Sequence, residues 1–315
     1  MEFLRLQQPC GTKKKWKKAV LPAVLALALF LGGCTAGKTS ESIENVTAET
    51  AAYVLEQTPA PTVSSIGGEW AVMGIKKSGM EVPDDYYRNY YDTVRAAVKA
   101  GKGVLDTAYY TEYARVTLGL CAIGEDPRQV EGYDLTIPLD IYEKIADQGM
   151  NAAAFALIAS GMADVTLQQE EAYIQLILTT FEEEDMFHND KAVDFVAMGL
   201  EALSFYQDRP QVKEAVEQGI QMLSDCQKED GSYGNCESTS EVIMALTQLG
   251  IDVRKDERFQ KNGKNLYDGL MVYQGKDGGF YHVTEYKENN AMATEKALLA
   301  LDAILLQEKG QTFYE

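Results

Sequence analysis

The amino-acid sequence predicts an all-α domain, an α6/α6 toroid of six inner and six outer helices. Three observations predict it. A nearly all-apolar stretch centred on a small residue recurs six times, an amphipathic stretch precedes each copy, and Gly closes most copies. Recurrence at about 20 to 50 residues marks stacked helix pairs, none of which can bury its apolar face alone.

The central small residues are Gly74, Gly119, Ala156, Gly199, Ala245 and Ala300, at intervals of 45, 37, 43, 46 and 55. Helices apolar on every side are buried, and Gly or Ala at the centre lets neighbours approach closely. Six such helices alternating with six half-exposed ones imply an inner ring wrapped by an outer ring. An open linear solenoid of the same pairs is the alternative.

Taken in chain order, the first element is an export signal. Lys13, Lys14, Lys15, Lys17 and Lys18 precede an apolar run from Ala19 to Phe30, shorter than the roughly twenty residues that span a bilayer. Residues 1–33 are therefore expected to be a signal peptide. The sequence Leu31, Gly32, Gly33, Cys34 resembles the lipobox of bacterial lipoproteins. That resemblance implies cleavage before Cys34, acylation there, and attachment to the extracytoplasmic face of the cell membrane by lipid, which two acyl chains make stable. Residues 34–44 read as a polar tether, and residues 45–315 as the toroid domain.

Residues 1–33 hold six Lys or Arg and one Glu, so removing their net +5 from −19 leaves about −24 on the mature chain. So acidic a surface excludes nucleic acid as a partner, since duplex binding needs a basic footprint. Three cysteines are left in the domain, Cys121, Cys226 and Cys236, an odd number that argues against a disulfide scaffold. Cys226 and Cys236 are close enough in sequence to bridge a loop, and that pairing stays open.

The outer helices are expected at Ala48 to Gln57, Tyr86 to Ala100, Pro138 to Gln148, Leu167 to Phe181, Pro210 to Gln227 and Arg258 to Gln274. Pro138 and Pro210 sit where a first helical turn accepts them. The inner helices are expected at Glu69 to Gly79, Tyr113 to Gly124, Met150 to Gly161, Asp194 to Leu203, Thr239 to Gly250 and Thr294 to Ile304. Gly79, Gly124, Gly161 and Gly250 fit the residue that ends a helix.

Two connecting loops share Gln-x-x-x-Gly-x-aromatic: Gln227 to Tyr233 and Gln274 to Phe280, with Phe181 to Phe187 a degraded third copy. This resembles the repeat of squalene cyclases and protein prenyltransferase β-subunits, over roughly residues 45 to 306. Glu237 to Leu246 and Asn290 to Leu298 look most like prenyltransferase-like toroids of bacterial surface proteins, related in fold to the transcobalamin group. The catalytic signatures of those enzymes are missing. Asp84 and Asp85 do not form the D-x-D-D acid of the cyclases, no D-D-x-x-D run exists, and His188 and His282 stand in no zinc-spaced set. Cys226 to Glu229 and Cys236 to Thr239 do not match the Cys-Gly-Glu-Gln of thioester toroids. No metal or cofactor is called for.

The resemblance implies a ligand funnel at the inner-helix N-termini. The ligand-binding candidates there are Glu69 and Trp70; Tyr110, Glu112, Tyr113 and the neighbouring Arg115; Asn151; Asp194; Tyr233 and Glu241; and Phe280, Asn290 and Glu295. Polar first-turn residues also cap helices and answer the helix dipole, and Glu112 with Arg115 has the spacing of an intrahelical pair. Three functions compete. The first is a non-catalytic, lipid-anchored module binding a small molecule, glycan or protein in an acidic, aromatic funnel. The second is a glycan hydrolase or lyase using paired carboxylates among Glu69, Glu112, Asp194, Glu241 and Glu295. The third is a terpenoid cyclase or prenyltransferase-like transferase.

Overall fold

A computed structural model of the chain describes residues 42–315. The expected signal peptide, Cys34 and the expected tether up to residue 41 lie outside the described residues. Among the described residues twelve α-helices follow one another: α1 Ile43–Gln57, α2 Trp70–Lys77, α3 Tyr86–Gly101, α4 Thr111–Ile123, α5 Tyr142–Ala146 and α6 Met150–Met162 come first. They continue with α7 Glu170–Glu183, α8 Val193–Leu203, α9 Pro210–Cys226, α10 Cys236–Gln248, α11 Leu266–Met271 and α12 Ala291–Glu308. Among the described residues the only β-pairing is isolated bridges. The all-α expectation is met.

Even-numbered helices are buried on nearly every side. In α10 all residues from Cys236 to Thr247 are buried except Glu237, and α6 is buried continuously from Ala156 to Ser160. Odd-numbered helices bury one stripe: α3 covers only Tyr86, Tyr90, Val94 and Val98, four residues apart on one face. Each even helix packs on the next even one, from α2 through α4, α6, α8 and α10 to α12, and α12 packs on α2. The small central residues serve this approach. A Cβ at Gly74, Gly119 or Gly199 would come within 3.0 Å of Leu298, Tyr90 or Phe181.

Local chemistry moves several boundaries. Helix α1 starts five residues before Ala48, at Ile43, where the Ser42 side chain accepts from the Asn45 N–H. The stretch from Pro138 to Gln148 becomes a 3-10 turn, Ile137–Asp140, followed by the short α5. Asp140 is drawn off to cap the next outer helix, accepting from Gln168 N at 3.0 Å and Gln169 N at 2.8 Å. The stretch from Arg258 to Gln274 holds only α11, because Asn262 and Gly263 both take positive φ and turn the chain at the Lys261–Lys264 bridge. Gly161 does not end α6. The helix runs on to Met162, Asp164 takes the left-handed position, and Gly161 instead makes room for the Phe205 ring. Cys121, Cys226 and Cys236 are all free thiols, so the Cys226–Cys236 bridge does not form.

Candidate functional site

The two Gln-x-x-x-Gly-x-aromatic loops set the starts of α10 and α12 in the same way. The backbone N–H of Tyr233 donates to Thr239 Oγ1 at 3.0 Å, and that of Phe280 donates to Thr294 Oγ1 at 2.9 Å. Each Thr lies in the first turns of its helix, behind an Asn that caps it: Asn235 accepts from Ser238 N and Asn290 from Ala293 N. Gly231 and Gly278 have positive φ and lie so close to the next outer helix that a Cβ would strike Asn265 O at 2.3 Å or Glu49 O at 2.5 Å. The first contact is to the start of α11, the second to α1. Tyr233 and Phe280 are therefore committed to holding the fold. Phe280 is fully buried, and the Tyr233 hydroxyl donates to Leu223 O at 2.6 Å.

A cavity of about 290 Å³ opens where five even helices begin. Helix α2 contributes Trp70, α4 Thr111 and Arg115, and α6 Asn151 and Phe155. Opposite stand Met198 of α8, and Met292 and Lys296 of α12, with Ser65 and Ile66 of the turn before α2. The Trp70 and Phe155 rings lie 5.9 Å apart, and Lys296 Nζ sits 5.0 Å from the centre of the Trp70 ring.

The acids around this cavity are bound to its cations. Arg115 donates through Nε to Glu69 at 2.6 Å and through both terminal nitrogens to Glu112, so the spacing of Glu112 and Arg115 does make an intrahelical pair. Glu69 is completely buried and also accepts from the Tyr90 hydroxyl at 3.0 Å. Burial pushes its carboxyl up, against the opposing pull of Arg115. Lys296 Nζ donates to Glu241 at 2.7 Å. Burial draws this ammonium down, but Glu241, with Glu201 and Asp194 further out, more than reverses that. Behind Glu241, Glu201 of α8 is pushed up to about 8 by burial and by the Glu241 charge. It accepts a short hydrogen bond from the hydroxyl of Tyr314, in the C-terminal tail.

Of the residues expected at the funnel, Trp70 and Asn151 line the cavity, while Glu69, Glu112 and Glu241 stand behind its cations. Asp194 is exposed on α8 and Asn290 is a cap. Tyr110 stacks against Tyr113, and the Tyr113 hydroxyl pins the loop before α4, accepting from Leu105 N at 3.1 Å. Glu295 lines a separate cavity of about 300 Å³ between the end of α1 and the start of α12. One of its oxygens accepts from Gly67 N at 2.9 Å and the other has no partner. Burial, and secondarily the Glu69 charge, push this carboxyl up to about 7 despite the Gly67 bond. Phe155, Met198, Met292 and Lys296 escaped the sequence reading. No group of three or more His, Cys, Asp or Glu among the described residues is placed to hold a metal ion. No known protein family matches the chain, and no curated protein matches it.

Proposed function

We propose that the protein is a lipid-anchored, extracytoplasmic binding module of α6/α6 toroid fold that takes a small ligand in the cavity between Trp70, Phe155, Arg115 and Lys296. The carrying observation is that cavity, set where the starts of α2, α4, α6, α8 and α12 converge. The toroid is supported by the packing of α12 back on α2 and by the Gly278 loop meeting α1 as the Gly231 loop meets α11. Binding is favoured over glycan cleavage because Glu69, Glu112 and Glu241 are each tied to a cation, Asp194 is exposed on α8 and Glu295 lines the other cavity, so no pair of free carboxylates lines this cavity to act as acid and base.

What the walls offer is apolar and aromatic surface with N–H donors left on Arg115 and Lys296. The ligand class that suits them is an apolar or aromatic molecule bearing hydrogen-bond acceptors. Of the two tryptophans, Trp16 lies within residues 1–33, which the proposed cleavage removes, so the mature chain reports on the cavity through Trp70 alone. Titration with 8-anilinonaphthalene-1-sulfonate should give saturable one-to-one binding with energy transfer from Trp70. Met198→Phe, which fills the cavity without altering charge, should weaken binding at least tenfold. Unsaturable binding, or equal binding by Met198→Phe, would remove the cavity from consideration. The anchor has its own test: Cys34→Ser should move the protein from the membrane to the soluble fraction, and retention in the membrane would count against lipidation.

A further inference from the structure

Consecutive residues of α12 face two different cavities. Lys296 lines the central one and Glu295 the seam cavity, whose other walls come from Tyr53 and Thr58 at the end of α1 and from Ile66 and Gly67. We infer that the seam cavity is a second binding site, for a small organic cation that places an ammonium group against Glu295.

Glu295 is only 3% exposed, and its Oε2 has no hydrogen-bond partner. Leaving a buried acceptor unpaired is costly, and natural folds seldom tolerate it without use. Glu69 and Glu241, the buried acids beside the cations of the central cavity, each have a basic side chain on them, but no Lys, Arg or His lines the seam cavity. A cation is therefore the complement this site lacks. Tyr53 supplies a ring that an ammonium group can approach, and Val54, Ile66 and Ala291 supply apolar wall for a short carbon chain. A hard metal ion suits the site poorly, since calcium takes roughly six to eight oxygens and Glu295 is the only acid among its lining residues. The chain's overall charge of −19 draws cations toward it.

A protonation step follows from the same geometry. Burial holds the free Glu295 carboxyl near 7, so near pH 6 it is mostly neutral, and an arriving ammonium must displace that proton to the solvent. The titratable groups facing it are Glu69, held by Arg115 and Tyr90, the Tyr86 hydroxyl of α3, and Tyr53 of α1. On α10, Glu241 is engaged by Lys296 on the other side of α12.

Calorimetric titration of the full-length protein with n-butylammonium, at pH 6 and pH 8 and in two buffers of different ionisation enthalpy, tests this. The expected result is one site, affinity about tenfold higher at pH 8, and close to one proton released per ligand at pH 6, with n-butanol not binding. Glu295→Gln should lower affinity at least tenfold and abolish proton release. Ala291→Leu, at the exposed mouth of the cavity, should weaken binding while the carboxyl stays in place. Equal binding of n-butanol, proton release that persists in Glu295→Gln, or no saturable heat would overturn the inference. Should Glu295→Gln not fold, the proton count of the parent and the Ala291→Leu affinity decide between these outcomes.

Discussion

The two cavities on either side of α12 are alike in size, about 290 and 300 Å³, yet opposite in how they treat charge. Around the central one, Glu69 and Glu112 share Arg115 and Glu241 holds Lys296. In the seam, Glu295 stands without a cation. Pairing inside the protein fixes geometry, because each charge is stranded if its partner leaves. An unpaired carboxyl leaves the same role to be filled from outside. The central cavity is thus a rigid frame, and the seam an incomplete one.

The largest expected effect breaks this frame directly. Arg115→Met would strand the fully buried Glu69, and loss of one partner from a buried pair costs about 3 to 5 kcal/mol. Glu295→Gln should change stability by less than about 1 kcal/mol at pH 5, because it removes no partner. Urea unfolding of both variants measures the contrast. If Arg115→Met were as mild as Glu295→Gln, Glu69 would be neutral in the fold and the charge contrast between the cavities would fail.

Acidity gives the next effect. The Glu295 carboxyl rises from its ordinary 4.5 to about 7 in the folded chain, so between those values the folded state holds more protons than the unfolded one. Stability from this group is therefore full below pH 4.5 and is lost as pH rises through 7, by about 3 kcal/mol in all. Glu201, pushed up to about 8, acts with the same sign to a slightly higher pH. Thermal melts should show a more stable protein at pH 5 than at pH 8, and Glu295→Gln should flatten the part of that slope below 7. A protein that instead gained stability steadily from pH 5 to 8 would mean that Glu295 finds a partner in the folded state.

The helices were legible because burial on every side leaves a plain signal, as in the run from Met150 to Gly161. That same uniformity hid the cavity. When Phe155 and Met198 sit in stretches apolar all round, periodicity cannot say which side faces the axis. Polar candidates suffered the opposite fault. Asn290 and Tyr113 are spent on a cap and a loop, roles that draw on the same residue types as ligand binding. Nor does sequence reveal that the neighbours Glu295 and Lys296 serve different cavities, because that depends on how α12 is rotated by its contacts with α1, α2 and α10. The short α5 and α11 were overestimated for a local reason: Asp140, Asn262 and Gly263 prefer caps and turns to the helix their neighbours would form.

A smaller change tests the far side of the central frame. Tyr314→Phe deletes the hydroxyl that donates to Glu201, at a cost of about 1 to 3 kcal/mol for leaving a buried acceptor without its donor. Because Glu201 lies behind Glu241 and Lys296, the variant should also shift Trp70 emission slightly, which a purely local loss at the C-terminal tail would not do.

The smallest effect concerns the wall the two cavities share. Ile66 lines both and is 37% exposed, so truncating it removes little buried surface. Its backbone is fixed independently of its side chain: Ser64 Oγ donates to Ile66 O at 2.9 Å, Thr62 N donates to Gly67 O at 3.0 Å, and Gly67 N is held by Glu295. Ile66→Ala should therefore cost no more than about 1 kcal/mol in a urea melt. Each cavity would lose contact with up to three methyl or methylene groups on one side only, so affinity for 8-anilinonaphthalene-1-sulfonate and for n-butylammonium should each fall by roughly two- to fivefold. Parallel losses fit two sites divided by one thin wall. A loss for one ligand with a gain for the other would mean that the wall yields and the two cavities merge, ending the contrast between a compensated site and a bare one.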